Sequence, residues 1–586
     1  MSPATDSLRP WQLTATDPAV QDRLSRELHL PPLVASLLAT RGWKDAEAAR
    51  RHLSSKLTEL HDPMLLPDMC AAAQRLVRAV NDRETILVHG DYDVDGVTGT
   101  SLLVRLFQLL GAQVAWHIPN RFTDGYAFGE HSIEKAEEVG AKVVVSVDNG
   151  TSSLDTITAL AARGIDTVVT DHHEPPLGDL PPAVAIVNPK LATSEYPFRE
   201  LCGGAVAFKL AWGICQELSG GGRVRDDLRE FLVDAMAYVA IATVCDVVPL
   251  VDENRILARY GLQSLEATQH AGLKNLLEVC GLAGRGLNAE DVGFQIGPRL
   301  NASGRLGTAQ TAVELLMCTD PVRAKALALE LDRLNLQRKE IERELSDEAL
   351  TSAEAFTDIE RWPVMVLAGQ GWHQGVIGIV AARLVERFHR PAIIIGLDGE
   401  TGRGSCRTLP GVDLLDLLHA GKDAMRQYGG HAQAAGLEIR ADQVDALREA
   451  VNARARETYP NGMPEQPLAI DADVPFESMT PELMRQIEKL EPYGEQNAKP
   501  VLLSRDIRLS EPPRIVGSDR THLILRFRRG GHELRAIAFG LASRERELVM
   551  GHPVHLVYTP GWNTFRGETS LQLVVTDFRC GMPAPV

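Results

Sequence analysis

Asp171-His172-His173 follows directly on the apolar run Thr167-Val168-Val169-Thr170, and aspartate and imidazole together are ligands for divalent metals. It has company. Ile86-Leu87-Val88-His89-Gly90 runs into Asp91-Tyr92-Asp93-Val94-Asp95-Gly96, and Val143-Val144-Val145-Ser146-Val147 runs into Asp148-Asn149-Gly150. Three acidic clusters therefore close three short β-branched runs. A fourth acid, Asp246, ends the apolar stretch Val239 to Cys245 and needs a partner there, because burying a lone carboxylate is costly.

Phosphodiesters resist hydrolysis because attack on phosphorus builds charge on oxygens that already repel the nucleophile. Two divalent cations about 4 Å apart relieve that repulsion and stabilise the leaving oxygen. A site for them needs carboxylates with one or two imidazoles, and Asp91, Asp93, Asp95, Asp148, His172 and Asp246 supply that set. If the strand before Asp91 continues, alternation points Asp91, Asp93 and Asp95 the same way. The triple also resembles a calcium loop, but Leu102 stands where that loop requires its twelfth-position glutamate. Taken singly, the aspartate triple reads equally well as a solvated loop, Asp148-Asn149-Gly150 as a turn, and His172-His173 as a strand-end pair. Their conjunction in one α/β pattern favours a site.

That pattern spans Thr85 to Val187, where strand-like runs recur every 25 to 30 residues with helical stretches between, the signature of βαβ units and a parallel sheet. Ligands of such sheets bind outside the carboxyl ends of the strands, where Asp91, Asp148 and Asp171 fall. Asp320-Pro321 opens a helix that continues to about Phe356, with Leu327, Leu331, Leu334, Ile341 and Leu345 as its apolar stripe and Arg338, Lys339, Glu340, Glu342 and Arg343 solvating the rest. Its length suits a connector between lobes, with a coiled-coil segment as the alternative. A second α/β unit follows, bracketed by Val364-Met365-Val366-Leu367 and Ala392-Ile393-Ile394-Ile395. After the linker Tyr459 to Pro464 the period becomes two, with Gly530-Gly531 as a hairpin turn, which predicts a small β-barrel. The expected domains are an N-terminal segment (1–65) with a packing role, an α/β domain (66–318), a connecting helix (319–356), a second α/β domain (357–458) and a barrel (459–586).

The chain's 586 residues exceed one hydrophobic core. No apolar run approaches a membrane span, and Met1 to Asp6 carries neither a basic nor an apolar segment, so a cytoplasmic protein is expected, without membrane association. Eight cysteines without a C-x-x-C pair argue against structural zinc and fit a reducing compartment. A net charge of −17 disfavours a polyanionic partner when taken alone. Charge averages over faces, however, and cations bound to carboxylates invert it locally.

His89 to Gly96, Val147 to Gly150, Thr170 to His173 and Val244 to Asp246 resemble the four signature motifs of the DHH phosphoesterase superfamily. Within it the chain resembles the RecJ family of bacterial single-strand-specific 5′→3′ DNA exonucleases, over nearly everything from residue 60 on, including Gly297 to Arg305 and Gly429 to Gly436. The resemblance implies a DHH domain joined by the long helix to a DHHA1 domain, followed by an OB-fold barrel. It implies two Mn²⁺ or Mg²⁺ ions, with Asp148 bridging, Asp93 and Asp95 each facing one metal, His172 and Asp246 completing one sphere, and Asp91 in or beside the other. His173 would touch the scissile phosphate and Asp171 would orient its neighbours. His89 holds a place where some relatives carry a metal-binding histidine and RecJ-like chains often carry an apolar residue.

For the substrate, Gly429, Gly430 and His431 look like the DHHA1 strand-binding motif, and Ser405, Arg407 and Arg121 resemble a pocket for a 5′-terminal phosphate. Arg299, Asn301 and Arg305 read as a phosphate-tracking stripe and Tyr126 as a stacking platform. In the barrel, Arg514, Arg520, Arg526, Arg528, Arg529 and Arg535, with Trp562 and Phe565, suit a guide for single strands, a solvated hairpin being the alternative. The expected activity is release of 5′-mononucleotides from single-stranded DNA in repair and recombination, by a monomer working with a helicase and a single-strand-binding protein. A phosphodiesterase for short oligonucleotides or cyclic dinucleotides, and an inactive nucleic-acid-binding scaffold, are the competing readings.

Overall fold

A computed structural model describes residues 9–124, 128–221, 223–565 and 567–581. The chain starts with β1 (Trp11–Leu13) and three short helices, α1 (Pro18–Leu28), α2 (Pro32–Thr40) and α3 (Ala46–Ser54). Asp17 caps α1 and Asp45 caps α3, each accepting a backbone N–H. Leu24, Val34, Leu37 and Leu38 bury themselves in the core of the C-terminal barrel. At about 1.5–3 kcal/mol per side chain, that burial makes the segment part of the barrel. After α4 (Met69–Asn81) come β2 (Thr85–Gly90), α5 (Val94–Leu109), β3 (Gln113–His117), α6 (Glu130–Glu138), β4 (Val143–Val147), α7 (Leu154–Ala162), β5 (Asp166–Thr170) and β6 (Ala185–Val187).

The five strands form one parallel sheet in the order β3-β2-β4-β5-β6. Chain order reverses between β2 and β4. A crevice opens at such a point beyond the strand ends, and Asp91 and Asp148 follow those two strands directly. Helices α8 (Gly203–Leu218), α9 (Asp226–Cys245) and α10 (Asp252–Ala267) continue the same core. The short helix α11 (Gly297–Leu306) leads to α12 (Pro321–Ala353), whose 33 residues span about 50 Å. Asp320 caps it and Pro321 occupies its first turn.

Along α12 the apolar stripe is buried at Leu327, Leu331 and Leu345, while Arg338 and Glu342 are buried too, against expectation. They pair with each other, and Glu342 also takes Arg383 from the second lobe. That lobe has β7 (Met365–Gln370), α13 (Ile377–Phe388), β8 (Ala392–Asp398), β9 (Thr401–Arg407), β10 (Met425–Gly430), β11 (Ala434–Arg440) and α14 (Val444–Thr458). Its sheet is mixed, in the order β10-β11-β9-β8-β7, with only β7 and β8 parallel.

Strand β12 (Leu468–Ile470) pairs with β1, and the barrel follows: β13 (Ala472–Asp473), β14 (Leu502–Leu509), β15 (Arg514–Val516), β16 (His522–Arg529), β17 (His532–Ala538), β18 (Val554–Phe565) and β19 (Glu568–Cys580). Seven strands run β13-β14-β18-β19-β17-β16-β15, and an added β14–β16 pairing closes the ring. The period-two residues Leu523, Leu525 and Phe527 all point into its core, and Gly530-Gly531 turns the β16–β17 hairpin with positive φ at both positions.

Candidate active site

The strand does not continue into the aspartate triple. It ends at Gly90, and Asp93 becomes the N-cap of α5, its Oδ1 accepting from the Asp95 N–H at 2.9 Å and the Gly96 N–H at 3.2 Å. A carboxylate satisfies orphan amides there, which is why the backbone turns helical instead of staying extended. Asp95 therefore sits in the first turn of α5. Its carboxylate accepts from Gly203 N–H at 2.6 Å and Gly204 N–H at 2.8 Å, at the start of α8. Gly203 has to be glycine: a Cβ there would lie 2.6 Å from the Asp148 side chain.

Asp148 itself has φ 63°, an uncommon conformation that aspartate tolerates better than most residues. It turns its carboxylate toward the other acids. His172 Nε2 lies 3.2 Å from Asp148 Oδ1, 3.6 Å from Asp246 Oδ2 and 3.8 Å from Asp95 Oδ2. Asp171 accepts the backbone N–H groups of His172 and His173 on Oδ1, the Thr151 N–H on Oδ2, and holds His173 Nδ1 at 2.8 Å. All seven acids and histidines come together. Asp91, Asp93 and Asp148 form one possible ligand set, Asp95, His172 and Asp246 another, and Asp148 groups with His172 and His173 in a third, each with donor atoms within 4.8 Å.

The electrostatics are those of a centre built for cations. Burial and then Asp93 push Asp91 up to about 7, while burial and then Asp95 push Asp246 up to about 9. Burial and the neighbouring acids also lift Asp148 well above the carboxylate range. Burial pushes His172 down to about 4, leaving a neutral imidazole. Burial opposes charge on His173 as well, but its hydrogen bond to Asp171 wins and raises it. Among the described residues, Asp91 Oδ1, Asp148 Oδ1 and Asp246 Oδ2 are buried without hydrogen-bond partners. Buried acceptors are normally satisfied, so mutually repelling, unpartnered oxygens beside a neutral imidazole fit divalent metal ions with oxygen and nitrogen ligands.

Basic groups gather beside the acids. Burial and the nearby Arg121 push Arg305 down to about 10, with Arg338 and Arg407 also bearing on it and Asp93 opposing. Arg305 donates to Gly375 O of the second lobe at 3.1 Å, and Arg407 donates to Ser405 Oγ at 3.2 Å. The Arg121 guanidinium lies 4.6 Å from the Tyr92 ring centre. A cavity of about 620 Å³ runs from Cys245, next to Asp246, past Asn301, Arg305 and Arg338 to Tyr493 and Lys499. His373, whose ring meets Phe122 at 5.9 Å and on which the charge of Arg121 bears, has no motif to announce it. Lys190, whose charge bears on His172 and Asp246, was equally silent.

Known proteins match this architecture region by region. Residues 85–241 match the DHH family N-terminal domain, 362–457 the DHHA1 domain and 470–577 the RecJ OB domain. The single-stranded-DNA-specific exonuclease RecJ of Bacillus subtilis (strain 168) is 37% identical over 97% of this chain and 70% of its own length. The chain belongs to the RecJ family. The RecJ of Escherichia coli (strain K12) is 36% identical over 94% of this chain and 96% of its own length. A crystal structure of RecJ in complex with Mn²⁺ from Thermus thermophilus superposes with a TM-score of 0.82 at 30% identity, covering 98% of this chain and 80% of that one.

The contacts bear on several of the substrate residues read from the sequence. Arg299 pairs with Asp332 of α12 at 2.9 Å and donates to Gln295 O, so part of its guanidinium is engaged within the protein. Trp562 is half-buried, and its indole N–H donates to Glu488. Tyr126 and the Phe565 side chain lie outside the described residues. Of the barrel arginines, Arg526 pairs with Glu511 and Glu533 and Arg529 with Glu477, which cancels part of the positive field; Arg514, Arg520 and Arg528 are exposed. Gly429, Gly430 and His431 lie exposed at the end of the edge strand β10. Gly430 has φ 140°, and a Cβ there would lie 2.5 Å from Ala434 O. His89 turns away from the acids and joins His117 and His131.

Proposed function

We propose that this chain is a metal-dependent exonuclease that degrades single-stranded DNA from the 5′ end to 5′-mononucleotides, in DNA repair and recombination. The observation that carries this reading is the convergence of unpartnered, mutually repelling carboxylates beside an arginine-lined cleft. Asp148 would bridge two Mn²⁺ or Mg²⁺ ions, with Asp93 and Asp95 each facing one, His172 and Asp246 completing one sphere and Asp91 in or beside the other. When bound, the ions supply Lewis acidity that neutralises the phosphodiester and lowers the cost of water attack. His173, kept protonated more readily by Asp171, would donate to the scissile phosphate.

Arg121, Ser405 and Arg407 would receive the 5′-terminal phosphate, since a guanidinium fork matches two phosphate oxygens. Asn301 and Arg305 would follow the backbone along the cavity, and the amides of Gly429 and Gly430 with His431 would hold it at the second lobe. Selectivity for single strands would be steric, because a groove sized for one chain excludes a duplex. No described helix is long and apolar enough to cross a membrane, and the reading places the chain in the cytoplasm as a monomer. A helicase that exposes single strands and a protein that coats them are the partner classes such a reaction calls for.

The test compares 5′-labelled and 3′-labelled single strands with a blunt duplex in Mn²⁺. Early release of labelled mononucleotide from the 5′ label alone is expected. Release from the 3′ end, or cleavage only of dinucleotides, overturns the reading.

A further inference from the structure

His89, His117 and His131 form a cluster that shares no residue with the ligand groupings of the acid site. His89 is on β2, His117 is its register partner on the neighbouring β3, and His131 lies in the first turn of α6. Their ring centres are 5.2, 5.6 and 5.4 Å apart, close to an equilateral triangle. His117 Nε2 is 3.2 Å from His131 Nδ1, and Ser132 Oγ lies 2.9 Å from His89 Nε2 and 3.5 Å from His131 Nδ1. Three imidazoles around a tetrahedral ion, with metal–nitrogen bonds of about 2.0–2.1 Å, place their donor atoms about 3.3 Å apart and their ring centres about 5 Å apart. The ring centres and the His117–His131 donor pair match those dimensions, and one ligand atom from each of the three rings lies within 4.8 Å of the others.

We propose that His89, His117 and His131 form a second metal site, selective for a zinc-class transition-metal cation and distinct from the carboxylate centre. Ligand chemistry separates the two: imidazole suits Zn²⁺, Co²⁺, Ni²⁺ and Cu²⁺, whereas the oxygen-rich centre suits Mn²⁺ and Mg²⁺. His89 is fully buried, and its Nδ1 has no hydrogen-bond partner among the described residues, so the ring gives up hydration that a bound ion would offset. Burial pushes His117 to about 4, so that ring is neutral at pH 7, the form that binds metal. Asp124 acts electrostatically on His117 and His131 and would offset part of the ion's charge, while Lys135 opposes it. His117 and His131 are only half-buried, so the cluster is not sealed from solvent.

The experiment uses the full chain with excess Mg²⁺ to fill the carboxylate centre, followed by Co²⁺ titration read by visible absorption and by metal analysis after dialysis. One tightly held Co²⁺ per chain, with the strong bands of a tetrahedral site, is expected in the parent and in Asp148→Asn, and its loss in His117→Gln/His131→Gln. Equal Co²⁺ content and spectra in the parent and the double variant, or loss of the bands in Asp148→Asn, overturns the site. Should the double variant fail to fold, modification of the parent by diethyl pyrocarbonate decides. Zn²⁺ must protect His117 and His131 in Mg²⁺-loaded protein, and unchanged modification rejects the proposal.

Discussion

Asp148 is where the chemistry of the site concentrates, because it faces Asp91 and Asp93 on one side and His172 on the other. Asp148→Asn keeps the volume and removes the charge. Turnover is expected to fall by at least about 10²-fold, the scale of removing one preorganised electrostatic group. Strand binding, which the proposal assigns to the arginines, should persist in a filter or anisotropy assay; retained turnover would mean the bridging role is misassigned. Asp171 acts through others. Its Oδ1 serves two backbone amides and His173, so Asp171→Asn should lower kcat while leaving metal stoichiometry intact, since Asp171 belongs to none of the ligand groupings. Loss of bound metal in that variant would make Asp171 a ligand, contrary to its geometry.

At the scale of elements, the strands of the first sheet and the barrel were legible because β-branched runs and period two report burial directly, and α12 because Asp320-Pro321 marks its start. The same logic misjudged Asp91 to Asp95: alternation continues on paper, but a side-chain cap at Asp93 ends the strand. Partners distant in sequence were invisible, such as Gly203 and Gly204 for Asp95, or Asp332 for Arg299. The destination of the N-terminal helices was invisible for the same reason, since Trp11 donates to Asp577 at 2.7 Å from the other end of the chain. Helix α3 carries a consequence of that docking. His52, stacked on Trp43 with ring centres 4.5 Å apart, is pushed down to about 3 by burial and then by Arg255 and Arg41. An unfolded chain takes up this proton near 6.5, whereas the folded site resists until about 3, so stability is full above 6.5 and is lost progressively as pH falls through that window. His52→Gln should flatten the fall of Tm between pH 7 and 5 relative to the parent. An unchanged slope in thermal scans would show that His52 does not contribute to acid sensitivity.

The first lobe meets the N-terminal segment and the barrel at one guanidinium. Arg255, fully buried on α10, donates to His52 O at 2.7 Å in the N-terminal segment and to Leu490 O at 2.8 Å, Lys489 O at 3.0 Å and Glu491 O at 2.6 Å between β13 and β14. Burial pushes it down to about 9, still charged at neutral pH. Tyr493 and Lys499, a few residues beyond those carbonyls, line the cavity that also reaches Cys245, so this clamp fixes the barrel beside the path proposed for the strand. Arg255→Met strands several buried carbonyls at about 1–3 kcal/mol for each acceptor left unmet, which should lower stability and loosen the barrel. On the proposed path, the shortest oligonucleotides use only the two lobes and should keep their kcat. Long strands would also engage the barrel, and their KM is expected to rise about tenfold, equivalent to about 1.4 kcal/mol. If KM rises by the same factor for short and long strands, the barrel does not extend the path, and the clamp serves stability alone.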